Sequence, residues 1–133
     1  MTPMYTAFFT RDTLYEAEAA RLVDSLNRLG LPHDVVGIDR RKTWLEASRY
    51  TATHICSMME RYPDRAIVQL DADAVVHKYP AIFDALESTD IAIYRLPGGV
   101  VANGTVFLAP TAAARAVALR YRNLIAMGAH PQD

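Results

Sequence analysis

Three short apolar segments alternate with two stretches of helical period in the first half of the chain, and few architectures accept that order. Residues 4–9, set between Pro3 and the polar Thr10-Arg11-Asp12, read as a buried first strand. Tyr15, Ala19, Leu22, Val23, Leu26 and Leu29 then recur at helical spacing. Thr13 and Glu16 form a capping-box pattern before them, and Gly30 and Pro32 stop them, which predicts a helix over 14–29. A strand over 34–38 and the polar loop Asp39-Arg40-Arg41-Lys42 follow. A second helix is predicted over 44–62, with Trp44, Ala47, Thr51, Ile55, Met58, Met59 and Tyr62 near one face and Pro63 as its end. The third strand, 66–70, is apolar except for Gln69 and runs straight into Asp71-Ala72-Asp73. Strands joined through helices at these spacings need crossover connections, so the expected fold is α/β: a mainly parallel sheet of about five strands with helices on both faces.

The second half is less regular. Pro80 suits the first turn of a short helix that turns Ile82, Phe83 and Leu86 to the core. Residues 90–96 read as a fourth strand broken by Pro97-Gly98-Gly99, and 104–109 as a fifth. Pro110 and Thr111 open an Ala-rich helix, running to about Gly128, with Val117, Tyr121, Leu124 and Ile125 expected inward. There is no repeat or linker, and 133 residues suit a single domain, 1–133.

Composition narrows the function classes. A net charge of −1 gives no long-range field for a polyanion, which argues against duplex nucleic acid as the main partner. No apolar run approaches the roughly 20 residues of a membrane span. Cys56 is the only cysteine, which excludes an internal disulfide framework and a Cys-rich zinc site. The N-terminus lacks a signal-peptide pattern, so the expected compartment is the cytoplasm.

In open α/β sheets ligands sit beyond the carboxyl ends of the strands. Those ends carry Thr10, Arg11 and Asp12, then Asp39, Arg40 and Arg41, then Asp71 and Asp73. Two carboxylates two residues apart can approach one hard divalent cation, Mg²⁺ or Mn²⁺, and such an ion can neutralise a diphosphate leaving group. With ten Asp in 133 residues a shuffled chain would show about 0.7 Asp-x-Asp by chance, so the position after an apolar strand carries the information rather than the pair itself. His54 and Cys56, two apart on a predicted helix, point in different directions and read as packing or surface residues, and His77 as a solvated histidine. Trp44 has two readings, stacking on a base or filling the core.

From Trp44 to Thr111 the chain resembles the small GT-A-type nucleotide-diphospho-sugar transferases, glycosyltransferases with a metal-dependent Asp-x-Asp motif. The landmarks occur in order: Thr43-Trp44, then Ile67-Val68-Gln69-Leu70-Asp71-Ala72-Asp73-Ala74-Val75-Val76, Pro80-Ala81-Ile82-Phe83-Asp84, Asp90-Ile91-Ala92, and Asn103-Gly104-Thr105-Val106-Phe107-Leu108. The resemblance implies a hexosyltransferase-class enzyme that moves a sugar from a UDP- or GDP-linked donor to an acceptor hydroxyl. It implies that Asp73 ligates Mn²⁺ or Mg²⁺ and that Asp71 contacts the metal shell or the donor ribose. Thr10, Arg11 and Asp39 would hold the nucleoside, and Asn103 and Gly104 would line the sugar or acceptor side, a glycine letting backbone approach closely.

Two departures alter that picture. Where the family usually carries a Lys about six residues after the Trp, Tyr50 stands here, which leaves Arg49 as the substitute for a phosphate contact. The family also continues past His130-Pro131 into an Asp-Gln-containing segment and an acceptor region. The expectation is therefore a short form: a minimal natural form, a truncated chain, or a donor-binding core completed by a partner or as a homo-oligomer. No general base stands out, since Asp84 and Glu87 fall on a predicted helix and Asp90 opens a strand, so inversion and retention both stay open. Two other functions also remain. One is a non-catalytic nucleotide-sugar-binding core. The other is a haloacid-dehalogenase-like phosphatase, whose Asp-x-Asp-x-Thr/Val motif Asp71 to Val75 fits with Asp71 as nucleophile.

Overall fold

Strand–helix alternation produces the expected layers. The computed structural model describes residues 1–128, except for the side chains of Ala102 and Asn103. The elements are β1 (Met4–Thr10), α1 (Leu14–Arg28), β2 (His33–Ile38), α2 (Trp44–Arg61), β3 (Ile67–Leu70), a 3₁₀ turn (Ala81–Ala85), β4 (Ile91–Arg95), β5 (Val101–Leu108) and α3 (Ala112–Ala126). They form one five-stranded sheet in the order β2-β1-β3-β5-β4. The two crossovers make β1 parallel to both β2 and β3. β5 runs antiparallel to both β3 and β4, so the sheet reverses direction beside β3.

The reversal comes from a hairpin. Residues 96–100 form its turn, with Gly98 and Gly99 at φ of 97° and 90°, a region that suits glycine. Leu96 N–H donates to Val100 O at 2.7 Å and closes it. β5 therefore starts at Val101, three residues before the strand predicted at 104–109, and a bulge lies between Ile93 and Tyr94 where the two strands pair.

Period-two alternation sends neighbouring side chains of the central strands into two cores. Met4 and Ile67 join Ile55, Met58 and Met59 of α2, and Leu108, Ala114 and Ala118, on one face. Tyr5, Ala7, Val68, Leu70 and Phe107 join Leu22, Leu26 and Leu31 on the other. Phe83 of the 3₁₀ turn closes that second core, stacked on Phe107 at 6.1 Å and edge-on to Tyr5 at 6.3 Å.

Several inward expectations are corrected. Val117 and Leu124 of α3 are exposed, because α3 approaches α2 through the small Ala114 and Ala118 instead; the Cys56 thiol donates to Ala118 O at 3.4 Å across that seam. Ile82 is exposed because the segment after Pro80 makes only a 3₁₀ turn, which brings Phe83 and Leu86 to the core and leaves Ile82 outside. Glu87 follows in a turn and not in a helix. No helix of the described residues is long and apolar enough to cross a membrane.

Candidate functional site

The carboxyl ends of β1 and β3 and the first turns of α2 enclose a cleft of about 230 Å³, lined by Phe8, Phe9, Thr10, Tyr15, Trp44, Ala47, Ser48, Thr51, Gln69, Leu70 and Asp71 to Asp73. One stripe of α2 builds both core and cleft. Its C-terminal part buries Ile55, Met58 and Met59, while Trp44, Ala47 and Thr51, on the same face at the N-terminal end, line the opening. Trp44 is 61% exposed, which overturns the reading of it as a core residue: it stands at the first position of α2, where the stripe meets the cleft.

The acidic pair forms part of the cleft lining. β3 ends at Leu70, and a turn closed by Ala74 N–H donating to Asp71 O at 3.0 Å carries Asp71, Ala72 and Asp73. Asp71 N–H donates to Gly104 O at 3.3 Å, so the pair is fixed to β5 as well. The Asp71 carboxyl titrates above the ordinary aspartate range, first because the surrounding protein displaces part of its water and then because Asp73's charge repels ionisation. The loop beyond the pair is fastened to α1. Ser25 Oγ accepts from Val76 N–H at 3.1 Å, and Arg28 donates to Val76 O at 3.1 Å.

A β-carbon added at Gly104 would lie 3.2 Å from Asp71 Oδ2, so the carboxylate occupies the space that glycine leaves. Gly104→Ala is expected to change stability by less than about 1 kcal/mol, since its backbone is not in the left-handed region, yet to weaken any metal-dependent ligand binding roughly tenfold. Paired thermal melts and calorimetry of the variant check this; unchanged binding refutes it.

Of the other residues expected at the site, Thr10 lines the cleft, and its hydroxyl is 3.0 Å from that of Thr13, the N-cap of α1. Arg11 and Asp39 pair with each other at 2.9 Å on the surface, and Arg11 also donates to Gly37 O; neither lines the cleft. Arg49 lies on α2 but outside the cleft lining, and its Nε is buried with no partner among the described residues. Asn103 lies in β5, and its side chain is outside the described residues. Asp84 accepts from the Tyr79 hydroxyl at 2.6 Å, and Asp90 accepts from the Thr111 hydroxyl at 2.8 Å. Neither carboxylate reaches the cleft, so no general base is assigned.

The cleft is also lined by residues that the sequence does not single out for a site: Phe8, Tyr15, Ser48, Thr51 and Gln69. Gln69 is 4% exposed and its Oε1 has no partner among the described residues. A buried unpaired acceptor costs about 1–3 kcal/mol, so its presence under a cleft is informative. The visible signal was a lone amide in an otherwise apolar strand.

Asp71 and Asp73 together supply hard oxygen donors suited to Mg²⁺ or Mn²⁺. Among the described residues no group of three His, Cys, Asp or Glu side chains converges. An ion here would complete its shell with phosphate oxygens and water, as Mg²⁺ commonly does.

Compared with known proteins, the chain matches no sequence family and no curated protein. Solved structures do match. A glycosyltransferase involved in glycosylation of the major capsid of PBCV-1 aligns with TM-score 0.71 and 16% identity over 93% of this chain and 66% of its own. The glycosyltransferase GlyE of Streptococcus pneumoniae TIGR4 aligns with TM-score 0.66 and 12% identity over 99% of this chain and 42% of its own. The chain thus has a glycosyltransferase-like α/β fold, and it spans less than two thirds of the length of these structural neighbours.

Proposed function

We propose that the protein binds a nucleoside diphosphate sugar, UDP- or GDP-linked, through a divalent ion held at Asp71 and Asp73, and transfers the sugar to an acceptor hydroxyl. The observation that carries this reading is the acidic turn at the end of the central strand β3, open to a cleft beside the point where the sheet reverses direction between β3 and β5. The fold of the structural neighbours agrees with it.

Asp71 and Asp73 hold the ion, which when bound neutralises charge on the departing diphosphate. Gly104 leaves room for the Asp71 carboxylate, and its carbonyl fixes the Asp71 backbone. Trp44, Tyr15 and Phe8 supply aromatic surface beside the nucleotide and keep water from it. Ser25 and Arg28 hold the loop after the pair in place.

Calorimetry of the protein with UDP, GDP and their sugars, with and without Mn²⁺, tests the proposal. Metal-dependent binding is expected, and absent or metal-independent binding refutes it. Binding without transfer to any acceptor would instead support the non-catalytic core. For the phosphatase alternative, the cleft lining among the described residues contains no lysine to assist aspartyl-phosphate chemistry. Hydrolysis of p-nitrophenyl phosphate lost in Asp71→Asn would restore that reading.

A further inference from the structure

The geometry points to a second copy of this chain as the partner of the open edge at β4: two β4 strands pair antiparallel about a two-fold axis at Ile93 and join two sheets into one. Among the described residues β4 stands at the end of the sheet and pairs with β5 alone. It is apolar up to its last residue, Ile91-Ala92-Ile93-Tyr94-Arg95, and Tyr94 is 61% exposed. Lysine and proline, which blunt natural sheet edges, are absent from it. The hairpin beyond adds Leu96, Val100 and Val101, all exposed.

The pairing register follows from the ladder. Asp90 O accepts from Ala109 N–H at 2.8 Å and Leu96 N–H donates to Val100 O at 2.7 Å, so Asp90, Ala92, Tyr94 and Leu96 turn their backbone groups toward β5. Alternation then turns the N–H and C=O groups of Ile91, Ile93 and Arg95 outward. The extra residues of the bulge, 103–105, sit on β5, so β4 carries that outward row without a break. Setting Ile93 against the second copy's Ile93 is the one antiparallel register that matches all three outward residues with outward residues. Ile91 then meets the second copy's Arg95, and each facing pair exchanges both of its hydrogen bonds.

The side chains suit the same register. Tyr94 lies opposite the second copy's Ala92, a large group beside a small one. The acidic end of each strand, Asp90, comes beside the basic end of the other, Arg95, while the two Arg95 positions stay about 13 Å apart along the strands. The opposite edge of the sheet is guarded. Arg11 N–H donates to Ile38 O, which turns Gly37 of β2 outward, and the Arg11 guanidinium covers Gly37 O. A β4-to-β2 contact would run on as a filament, whereas β4-to-β4 pairing closes at two copies. A net charge of −1 sets no strong repulsion between them.

Sedimentation velocity over a wide range of protein concentration, with amide exchange followed by NMR, tests this. Wild type is expected to pass from monomer to dimer as concentration rises, and the Ile91, Ile93 and Arg95 amides to slow in step with it. Ile93→Lys sets two ammonium groups face to face and is expected to weaken the dimer at least about tenfold. Leu14→Lys, at the equally exposed start of α1, is expected to leave it unchanged. A wild type that stays monomeric overturns the proposal, as does a dimer that Ile93→Lys leaves intact or Leu14→Lys also disrupts. An Ile93 amide that exchanges slowly in the monomer shows the edge covered from within the chain, and overturns it too. If Ile93→Lys does not fold, the concentration dependence of the wild-type Ile93 amide decides alone: slowing on dimerisation supports the pairing, and no change overturns it.

Discussion

Asp73→Ala is expected to abolish the Mn²⁺-dependent part of nucleoside diphosphate binding while leaving the fold intact. Disturbing even the outer partners of a metal ligand costs about 10–100-fold, so removing one of two carboxylate ligands should cost at least that much in calorimetry. The unliganded variant should melt no lower than wild type. Asp73 is exposed and its charge opposes ionisation of Asp71, so its removal relieves repulsion in the empty site. For the same reason the Asp71 carboxyl should titrate nearer the ordinary aspartate range in the variant, a shift that carboxyl-carbon NMR can follow. A variant that binds nucleotide with Mn²⁺ as wild type does would falsify the role given to the acidic turn.

The second large effect concerns stability. His54 is 1% exposed on α2, with its Nε2 2.9 Å from Thr6 Oγ1 and its ring 5.3 Å from that of Phe8. The single Thr6 hydroxyl proton goes to Asp34 O at 2.8 Å, so Thr6 Oγ1 accepts from His54 Nε2–H, which fixes the neutral tautomer. Burial drives the His54 pKa from 6.5 down to about 4; the Asp34 charge opposes this and the Arg61 charge adds to it. The folded state therefore binds a proton more weakly than the unfolded chain. His54 contributes stability in full above pH 6.5, and that contribution is lost as pH falls from 6.5 to about 4, amounting to about 3 kcal/mol.

Two carboxyls act in other ways over the acid range. Asp34, held below its ordinary 3.8 by bonds from Tyr62 and Arg61 that outweigh its burial, adds a further loss only below that pH. Asp71, raised above the ordinary value, works in the opposite sense and favours the fold as it protonates. Urea denaturation of wild type and His54→Gln at pH 7 and pH 4.5 separates these contributions. The variant should start less stable and lose much less between the two pH values. Equal losses would show that His54 is not the group responsible.

The contrast between what the residues revealed and what they concealed is physical. The three crossover strands and two amphipathic helices were legible because each sorts apolar side chains on its own period. The hairpin was not: residues 101–104, Val-Ala-Asn-Gly, look like the tail of a turn, and only pairing with β4 makes them a strand. The inward face of α3 follows from packing and not from residue size: close approach to α2 selects Ala114 and Ala118 and leaves Val117 and Leu124 exposed. At the site, strand-end position singles out Asp71 and Asp73, and both line the cleft. Trp44 and Gln69 were harder, since a helix's first turn can project past the core and a buried amide leaves no periodic trace. Arg11 and Asp39, expected at the nucleoside, pair with one another on the surface outside the cleft lining.

The sheet reversal beside β3 also sets when the acidic turn of the cleft can be braced. The cleft's lining comes from β1, α1, α2 and the end of β3 with its turn, whereas Gly104, which holds the Asp71 backbone, lies on a strand that must double back to reach it. A ribosome-bound fragment ending before residue 104 would have the acidic turn but not the strand that braces it. Ligand therefore offers no help to early folding, and once bound it should slow amide exchange through the whole sheet at once, not merely around the opening.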